Sequence, residues 1–218
     1  MVKRALSRER VLAAAVALVD AEGLAALTMR RLAAEVEVEA MSLYYHLPNK
    51  EALLDGVVGT VLAEIPRTGD APDWRETLRR QFLSAREVML RHPWAPGLLA
   101  SRRSIPVAVF GYYDRMVGVL LEAGFDHHLA HRAVHAFGSL PLGFAQEIFS
   151  PAGGLAPDMA EADLEAMAAA VPNITAMVAA EVNDHGGDTL GWCDSQAEFE
   201  FTLDLLLNGL DRARHPKG

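Results

Sequence analysis

Cysteine is almost absent from this sequence, since Cys193 is the only one among 218 residues. The chain can form no internal disulfide and no cysteine-based metal cage, which favours a reducing compartment. Aromatic residues are also few, at 7%. Alanine and leucine are abundant instead, and this balance favours helices.

Long apolar runs are missing as well. No stretch reaches the roughly 18 apolar residues that a membrane-spanning helix needs. The apolar run 11–19 follows several basic residues, as in a signal peptide, but Asp20 and Glu22 stand where small residues and a cleavage site would be expected. We therefore expect a cytoplasmic protein.

An excess of positive charge is also lacking. The chain carries 20 Lys and Arg against 29 Asp and Glu, a net charge of −9, which by itself does not suggest nucleic acid as a partner. The first ten residues are basic, with a charge of +3, but residues 1–66 as a whole hold seven basic and nine acidic side chains. Acidic groups more than about 10 Å from a phosphate are largely screened by salt, so DNA binding is not excluded.

No catalytic constellation is evident. The sequence contains no Ser-His-Asp arrangement, no phosphate-binding glycine loop and no paired-carboxylate pattern that we could defend. We predict that the chain is not an enzyme and that it uses no cofactor.

Helical periodicity covers most of the chain, which predicts an all-α protein. N-cap residues such as Ser7, Thr28 and Asn49 precede apolar stripes, and Gly23 ends the first of them. Pro141 should kink the longest helix. The predicted helices cover residues 8–22, 29–35, 40–45, 51–65, 74–91, 98–103, 107–123, 127–149, 160–182 (interrupted at Pro172) and 196–214.

The second and third predicted helices are short and separated by a tight turn. Leu32 and Ala33 of one, and Leu43 of the next, point to a common core, while the neighbours of Leu43 point outward. This pair has the dimensions of a helix-turn-helix, whose second helix can enter a DNA major groove. Three short helices also occur in bundles without a DNA role, and spacing alone leaves both interpretations open.

The residues of this region resemble the TetR family of repressors, and especially its tetracycline-repressor-like branch. The resemblance is carried by residues 27–34 (Leu-Thr-Met-Arg-Arg-Leu-Ala-Ala), Val38, and residues 42–55 (Ser-Leu-Tyr-Tyr-His-Leu-Pro-Asn-Lys-Glu-Ala-Leu-Leu-Asp). It covers the chain to about residue 60. The remainder resembles the family only in its helical layout and in residues 199–210.

The resemblance implies a DNA-binding face. Arg30 suits a bidentate contact to guanine, Thr28 and Lys50 lie at helix N-termini that can hold phosphates, and Ala40 and Met41 suit thymine methyl groups. The full predicted set is Lys3, Arg4, Arg8, Thr28, Arg30, Ala40, Met41, Ser42, Tyr44, Tyr45, His46 and Lys50.

Four positions leave room for other interpretations. Tyr44 could pack within the small domain, and His46 could be purely structural. Glu37 occupies a turn position where the family usually has Gly, and a positive φ there would cost on the order of 1 kcal/mol. Glu39 replaces the Ser or Thr that often caps the recognition helix, so a chain that senses a ligand without binding DNA is an alternative.

The resemblance and the apolar composition together imply a ligand cavity in the C-terminal part. His135 is the candidate polar anchor, and ordinary core packing is the alternative for each apolar residue. The predicted ligand-binding residues are Phe82, Met89, Leu98, Phe110, Tyr113, Met116, Val117, His135, Phe137, Leu140 and Met177.

A histidine row gives a rival hypothesis. His127, His131 and His135 share one helix face, so a helical protein that binds a metal or small molecule without DNA is conceivable. We predict no metal site, because the first of these residues lies in an exposed first turn.

The last helix is apolar on more than one face, which predicts a partner in addition to its own domain. In the family this helix and the kinked one build a four-helix dimer interface. The predicted interface residues are Phe199, Phe201, Leu203, Leu206, Leu207 and Leu210.

These observations predict a ligand-responsive, homodimeric transcriptional regulator. Residues 1–66 would form the helix-turn-helix DNA-binding domain, and residues 67–218 the ligand-binding and dimerisation domain. A small-molecule effector, whose identity is open, would release the repressor from a pseudo-palindromic double-stranded operator; an activator remains an alternative.

Overall fold

The computed structural model describes residues 6–67, 73–144, 166, 168–185 and 195–215. Eleven α-helices have described bounds, one short 3₁₀ helix is present, residues 166 and 168–170 are also helical, and the described residues contain no strand, which confirms the all-α prediction. The α-helices are α1 (Arg8–Glu22), α2 (Met29–Glu35), α3 (Ala40–Tyr44), α4 (Lys50–Ala63), α5 (Trp74–Arg91), α6 (Ala95–Ala100), α7 (Val107–Glu122), α8 (His127–Gly138), α9 (Leu140–Phe144), α10 (Pro172–His185) and α11 (Ser195–Arg214).

By its internal contacts the chain divides into two compact units. The first comprises residues 1–145 and 203–218, and the second comprises residues 146–202. The predicted domain boundary after residue 66 stays a prediction.

Local side-chain hydrogen bonds fix where several helices begin. Each of these N-cap side chains accepts a hydrogen bond from the backbone N–H three residues later, which satisfies a donor that the first helical turn leaves without a partner. The pairs are Ser7 with Arg10, Thr28 with Arg31, Asn49 with Ala52, Asp73 with Glu76, and Asp126 with Leu129.

The core around α1 to α4 is built from the predicted apolar stripes. Leu32 and Leu43 are fully buried, as the pattern required. Gly56 of α4 lies against Leu12 of α1, so closely that a Cβ at Gly56 would approach Leu12 Cδ2 to 2.6 Å. The absence of a side chain at this position is therefore what allows α4 to pack directly on α1.

Beyond α4, the helices α5, α7, α8 and α9 pack on one another. Phe82 of α5 stacks on Phe137 of α8 with ring centroids 5.2 Å apart, and both side chains are buried. Helix α4 contacts α1 and also contacts α7, so one helix touches both the N-terminal core and this second core.

Prolines account for two differences from the predicted helices. The helix expected at 98–103 is α6, Ala95–Ala100, because Pro96 is compatible with a first helical turn, where its missing N–H has no partner to lose. The long helix expected at 127–149 ends at Gly138 and restarts as α9 at Leu140. Pro141 has no N–H to continue the ladder and would clash with the carbonyl one turn earlier.

The structure describes nothing of residues 145–165, where the ends of two predicted helices lie. The interruption expected at Pro172 is confirmed, since residues 168–170 are helical, Val171 is not, and α10 begins at Pro172. Among the described helices, none combines the length and the apolar character that a membrane crossing requires.

Candidate DNA-binding face and ligand cavity

Helix α3 presents large side chains to solvent on one side and a core residue on the other. Tyr45 and Met41 are 91% and 72% exposed, whereas Leu43 between them is fully buried. Tyr44 is 42% exposed and therefore only partly available. Exposed apolar and aromatic side chains on so short a helix have no intramolecular packing role, so they are available to a partner surface.

The two adjacent arginines of α2, Arg30 and Arg31, differ in their hydrogen bonds and ion pairs. Arg31 donates to Glu35 Oε2 at 2.8 Å and to Glu22 Oε1 at 2.6 Å, and these carboxylates raise the pKa of its guanidinium. Arg30 is exposed and forms no hydrogen bond or ion pair with any residue that the structure describes. Arg30 is therefore the arginine of this helix that is free for an external anion or base edge.

The other predicted DNA-binding residues lie around these two. Arg8, Thr28 and Lys50 are exposed. Ala40, Ser42 and His46 are half-buried. Lys3 and Arg4 lie outside the described residues.

The turn between α2 and α3 contains a residue in the left-handed conformation that Gly adopts most easily. Glu37 has φ 56°, and it is the one non-Gly residue with positive φ among the described residues. Its N–H donates to Ala34 O at 3.3 Å, and the N–H of Val38 donates to Ala33 O at 3.0 Å, which together form a Schellman motif. Glu39 then starts α3 without a side-chain cap. Of the two possibilities that the sequence left open, a strained turn or a differently shaped one, Glu37 adopts the strained conformation with positive φ.

An apolar cavity of about 70 Å³ lies beside α4. Two predicted ligand-binding residues, Met89 and Tyr113, line it. Its walls also include residues that the sequence did not single out, notably Leu62 in the last turn of α4 and Ile65, two residues after that helix. The complete lining is Leu62, Ile65, Ala85, Met89, Leu99, Val109, Tyr112, Tyr113, Gly138, Pro141 and Leu142.

The remaining predicted ligand-binding residues lie elsewhere. Phe110, His135 and Met177 are exposed. His135 is on the opposite side of α8 from the buried Ala133 and Phe137, so it does not reach this cavity. The prediction that His135 is the polar anchor of this cavity is therefore wrong. The others belong to the apolar core or its edge: Phe82, Leu98, Met116, Phe137 and Leu140 are buried, and Val117 is half-buried.

Two buried polar side chains were missed, Tyr112 in the cavity wall and Gln81 on α5. Tyr112 is 6% exposed and Gln81 is 4% exposed. Tyr112 shares an i, i+4, i+8 stripe with the buried Met116 and Leu120, and this spacing could have identified it. No comparable sequence signal marks Gln81, since a glutamine on an amphipathic helix is usually solvated.

Ion pairs hold α4 at both ends. Near its N-terminus, Arg102 donates to Asp55 Oδ1 at 2.9 Å and to Glu51 Oε2 at 2.6 Å, and the Arg102 side chain is only 8% exposed. Just after its C-terminus, Glu64 lies 3.2 Å from Nε2 of the buried His92, whose Nδ1 contacts Asp20 of α1 at 2.8 Å. The segment from the end of α5 to the end of α6 is thus tied to both α4 and α1.

The histidine row does not assemble a ligand set. His131 and His135 contact each other edge to face, with ring centroids 4.8 Å apart. No group of three metal-ligating side chains occurs among the described residues.

Helix α11 divides the predicted interface residues into two groups. Phe199, Leu203, Leu207 and Leu210 are buried within the single protomer, so their side chains are not available to a partner. Leu206 is half-buried. Phe201 and Leu205, four residues apart, are 62% and 55% exposed. The exposed stripe therefore passes through Phe201 and Leu205, and Leu205 was not in the predicted set.

Two family models match the chain. One, described as "Bacterial regulatory proteins, tetR family", matches residues 11–57. The other, described as "Tetracyclin repressor-like, C-terminal domain", matches residues 65–214. Together they cover the helix-turn-helix, the first part of α4 and every residue that lines the cavity except Leu62.

Individual relatives agree with these models. The tetracycline repressor protein class C of Escherichia coli is 30% identical over 215 residues, covering 96% of this chain and 92% of that protein. An HTH-type transcriptional regulator of Saccharopolyspora erythraea is 32% identical over 124 residues, covering 56% of this chain and 52% of that protein. The chain thus spans about half the length of several curated relatives that it matches.

A solved structure shows the same arrangement of helices. The crystal structure of ActR from Streptomyces coelicolor in complex with actinorhodin is 27% identical, with a TM-score of 0.71, and the match covers 97% of this chain and 100% of that one. The family models and the full-length match to the class C repressor show that this chain belongs to the TetR family of bacterial transcriptional regulators.

Proposed function

We propose that this chain is a homodimeric repressor that binds a pseudo-palindromic operator and releases it when a small organic molecule occupies the cavity beside α4. One observation carries the proposal. Leu62 and Ile65, at the C-terminal end of α4, line the cavity. The same helix packs on α1 at Gly56 and begins at the exposed Lys50. A ligand that moves the cavity wall would therefore move the DNA-binding helices.

The relatives support a small-molecule effector. ActR has been crystallised with actinorhodin, and the class C protein is a tetracycline repressor. A ligand can shift the repressor only by as much as it prefers the non-binding arrangement over the binding one. The effector would thus favour a dimer whose two recognition helices no longer match half-sites about 34 Å apart.

The exposed stripe of α11 supports the dimer. Phe201 and Leu205 form an apolar strip that a monomer would leave in water, and a twofold contact is the commonest way to cover such a strip. Residues 1–66 would then be the DNA-binding domain, and residues 67–218 the effector and dimer domain. Such a regulator would act in the cytoplasm, where its operator lies, and would need neither catalysis nor a metal.

Operator selection with two matched variants tests this function. Duplexes bound by the wild-type protein would be enriched from a random pool at two salt concentrations, and affinity for the recovered site would be measured for Arg30→Met and Arg31→Met. Both variants remove one positive charge from α2. We expect Arg30→Met to weaken operator binding by about 10- to 100-fold, because it loses a base or phosphate contact. Arg31→Met should stay within about threefold of the wild type, since its charge is already paired.

Two results would contradict the proposal. One is the failure to enrich any palindrome at low salt from a folded dimer, where phosphate contacts are strongest. The other is an equal loss of affinity in both arginine variants, which would mean that only overall charge matters.

A further inference from the structure

The buried imidazole of His92 lies between two carboxylates that belong to different helices. His92 directly follows α5 and is 6% exposed. Its Nδ1 is 2.8 Å from Asp20 Oδ1 of α1, and its Nε2 is 3.2 Å from Oε2 of Glu64, the residue that follows α4. One side chain therefore joins the C-terminal ends of α1 and α4.

Both contacts can be hydrogen bonds only when the imidazole is a cation. A carboxylate oxygen accepts and cannot donate, so each ring nitrogen needs its own proton. The surrounding charges match this state. Asp20 and Glu64 are negative, and Arg91 of α5, whose Nη1 is 2.9 Å from Glu64 Oε2, is positive. Trp94, whose ring lies edge to face at 5.7 Å, is uncharged. An imidazolium at His92 thus neutralises this group of side chains.

The two contacts differ in what remains when the imidazole loses one proton. A neutral ring keeps a single N–H, and the shorter contact, to Asp20, is the one that holds it better. Asp20 Oδ1 also accepts a hydrogen bond of 2.7 Å from Trp94 Nε1, which keeps this carboxylate in place. The proton that leaves is therefore the one on Nε2, which faces Glu64. Glu64 then keeps its pair with Arg91, whose side chain is 58% exposed, and such exposed pairs are weak.

We propose that His92 is a pH-dependent positioning residue for α4, which ties the C-terminal end of this helix to α1 as an imidazolium and releases it as a neutral imidazole. Histidine side chains ordinarily change charge between about pH 5 and pH 8, so a modest change of pH alters how firmly α4 is held. Glu64 stands between Leu62 and Ile65, which line the cavity. Where it concerns the effector, the inference rests on the proposed function: release by His92 makes this wall easier to move.

Thermal unfolding at two pH values tests the charge state of His92. The carboxylates favour the imidazolium in the folded chain and are not held beside it in the unfolded chain. The stability that His92 supplies is therefore largest on the acid side of this range and falls as the pH rises. We expect His92→Gln to lower the Tm by about 4–8 °C at pH 6 and by at most half as much at pH 8.5.

A matched control replaces an exposed histidine. His131 of α8 contacts another histidine and has no ion pair with a residue that the structure describes. His131→Gln should change the Tm by less than about 1 °C at either pH, because an exposed side chain away from such features contributes little.

Hydrogen exchange, corrected for the intrinsic effect of pH, locates the change in the wild-type protein. Amides in the last turn of α4, residues 60–63, should exchange about tenfold faster at pH 8.5 than at pH 6, because their helix end is released. Glu64→Gln should abolish this dependence. A glutamine can accept from the protonated Nε2 of His92 and can donate to the neutral one, so it holds α4 at both pH values.

Two results would overturn the inference. One is an equal loss of Tm in His92→Gln at pH 6 and pH 8.5, which would mean that the residue only fills space. The other is a pH dependence of α4 exchange that persists in Glu64→Gln. Neither measurement uses DNA or an effector, so a failure here is distinct from a failure to recover an operator.

Discussion

Glu37 adopts φ 56° because the Schellman turn after α2 requires a left-handed residue at its position. Gly would take this conformation without a steric penalty, whereas a side chain with a Cβ costs on the order of 1 kcal/mol there. The residue also adds a negative charge three positions before the first residue of α3. One side chain therefore lowers the stability of the turn through its backbone conformation and weakens DNA binding through its negative charge.

Substitution at this position should separate the two costs. Glu37→Gly is expected to raise the Tm by about 2–4 °C, the effect of about 1 kcal/mol in a chain of this size, and to strengthen operator binding. Glu37→Gln removes only the charge, so it should strengthen operator binding without the gain in Tm. Differential scanning calorimetry and fluorescence anisotropy on the selected operator would measure both effects. Equal Tm values for the Gly and Gln variants would show that the turn carries no strain.

At this scale the sequence is informative wherever the interaction is local. The N-caps at Ser7, Thr28 and Asn49 could be predicted because each side chain acts on the backbone three residues later. The pairing of Arg31 with Glu22 could not, because it joins residues on different helices. The family resemblance selected Arg30, and the ion pairs of Arg31 supply a physical reason for that choice that the sequence did not contain.

Among the elements, α4 stands apart because residues of other helices hold it at both ends. Arg102 reaches it from just beyond α6, and the buried His92, which follows α5, contacts Glu64. The partner carboxylates of Arg102 are 40% and 66% exposed, so they would be solvated if it were removed. These contacts tie α4 to the segment between α5 and α7 through identifiable side chains.

Removing the Arg102 contact should loosen α4 without unfolding the protein. Arg102→Met is expected to cost about 1–2 kcal/mol of stability, less than a fully buried pair, because Asp55 and Glu51 stay hydrated. Hydrogen exchange of the α4 amides should become faster. Arg103→Met is the control, since Arg103 is exposed and has no ion pair among the described residues. Unchanged exchange in α4 of the Arg102 variant would show that the contact does not hold this helix.

The presence of a helix was easier to predict than the residues at which it begins and ends or the helices that it contacts. Periodicity placed α5, α7 and α11 closely, because their apolar stripes are long. The break between α8 and α9 at Ser139 was expected as a kink near Pro141, but a sequence pattern does not determine whether a proline bends or splits a helix. The cavity walls from α4 depend on how helices cross, and that information is not local.

The assembly of the whole molecule depends on which side of α11 faces outward. Phe201 and Leu205 are exposed, while the predicted stripe through Leu203 and Leu207 is buried in the protomer. The sequence correctly showed that this helix is apolar on several faces. It could not assign the faces, because a side chain buried in its own protomer and one buried by a partner have the same composition.

A charged residue in the exposed stripe should separate the subunits. Leu205→Asp is expected to convert the dimer to a monomer in analytical ultracentrifugation, because a carboxylate would be buried without a partner. Operator affinity should fall with it, since a monomer reads only one half-site. Leu90→Asp is the matched control, as Leu90 is a leucine of similar exposure, 52% against 55%, on α5. If the Leu205→Asp protein remains dimeric, the dimer interface does not include the stripe of Phe201 and Leu205.

The close contact of Gly56 with Leu12 has a mechanical consequence. Because Gly56 has no side chain, the Leu12 side chain packs directly on the backbone of α4, and we expect α4 and α1 to tilt together. The 14 residues of α4 form an arm about 21 Å long. A tilt of about 6° displaces the far end of such an arm by about 2 Å, which is more than half of the 3.4 Å rise of one base pair. A displacement the size of one methyl group at the cavity could therefore shift each reading helix out of register with its half-site, with no unfolding and no long-range rearrangement.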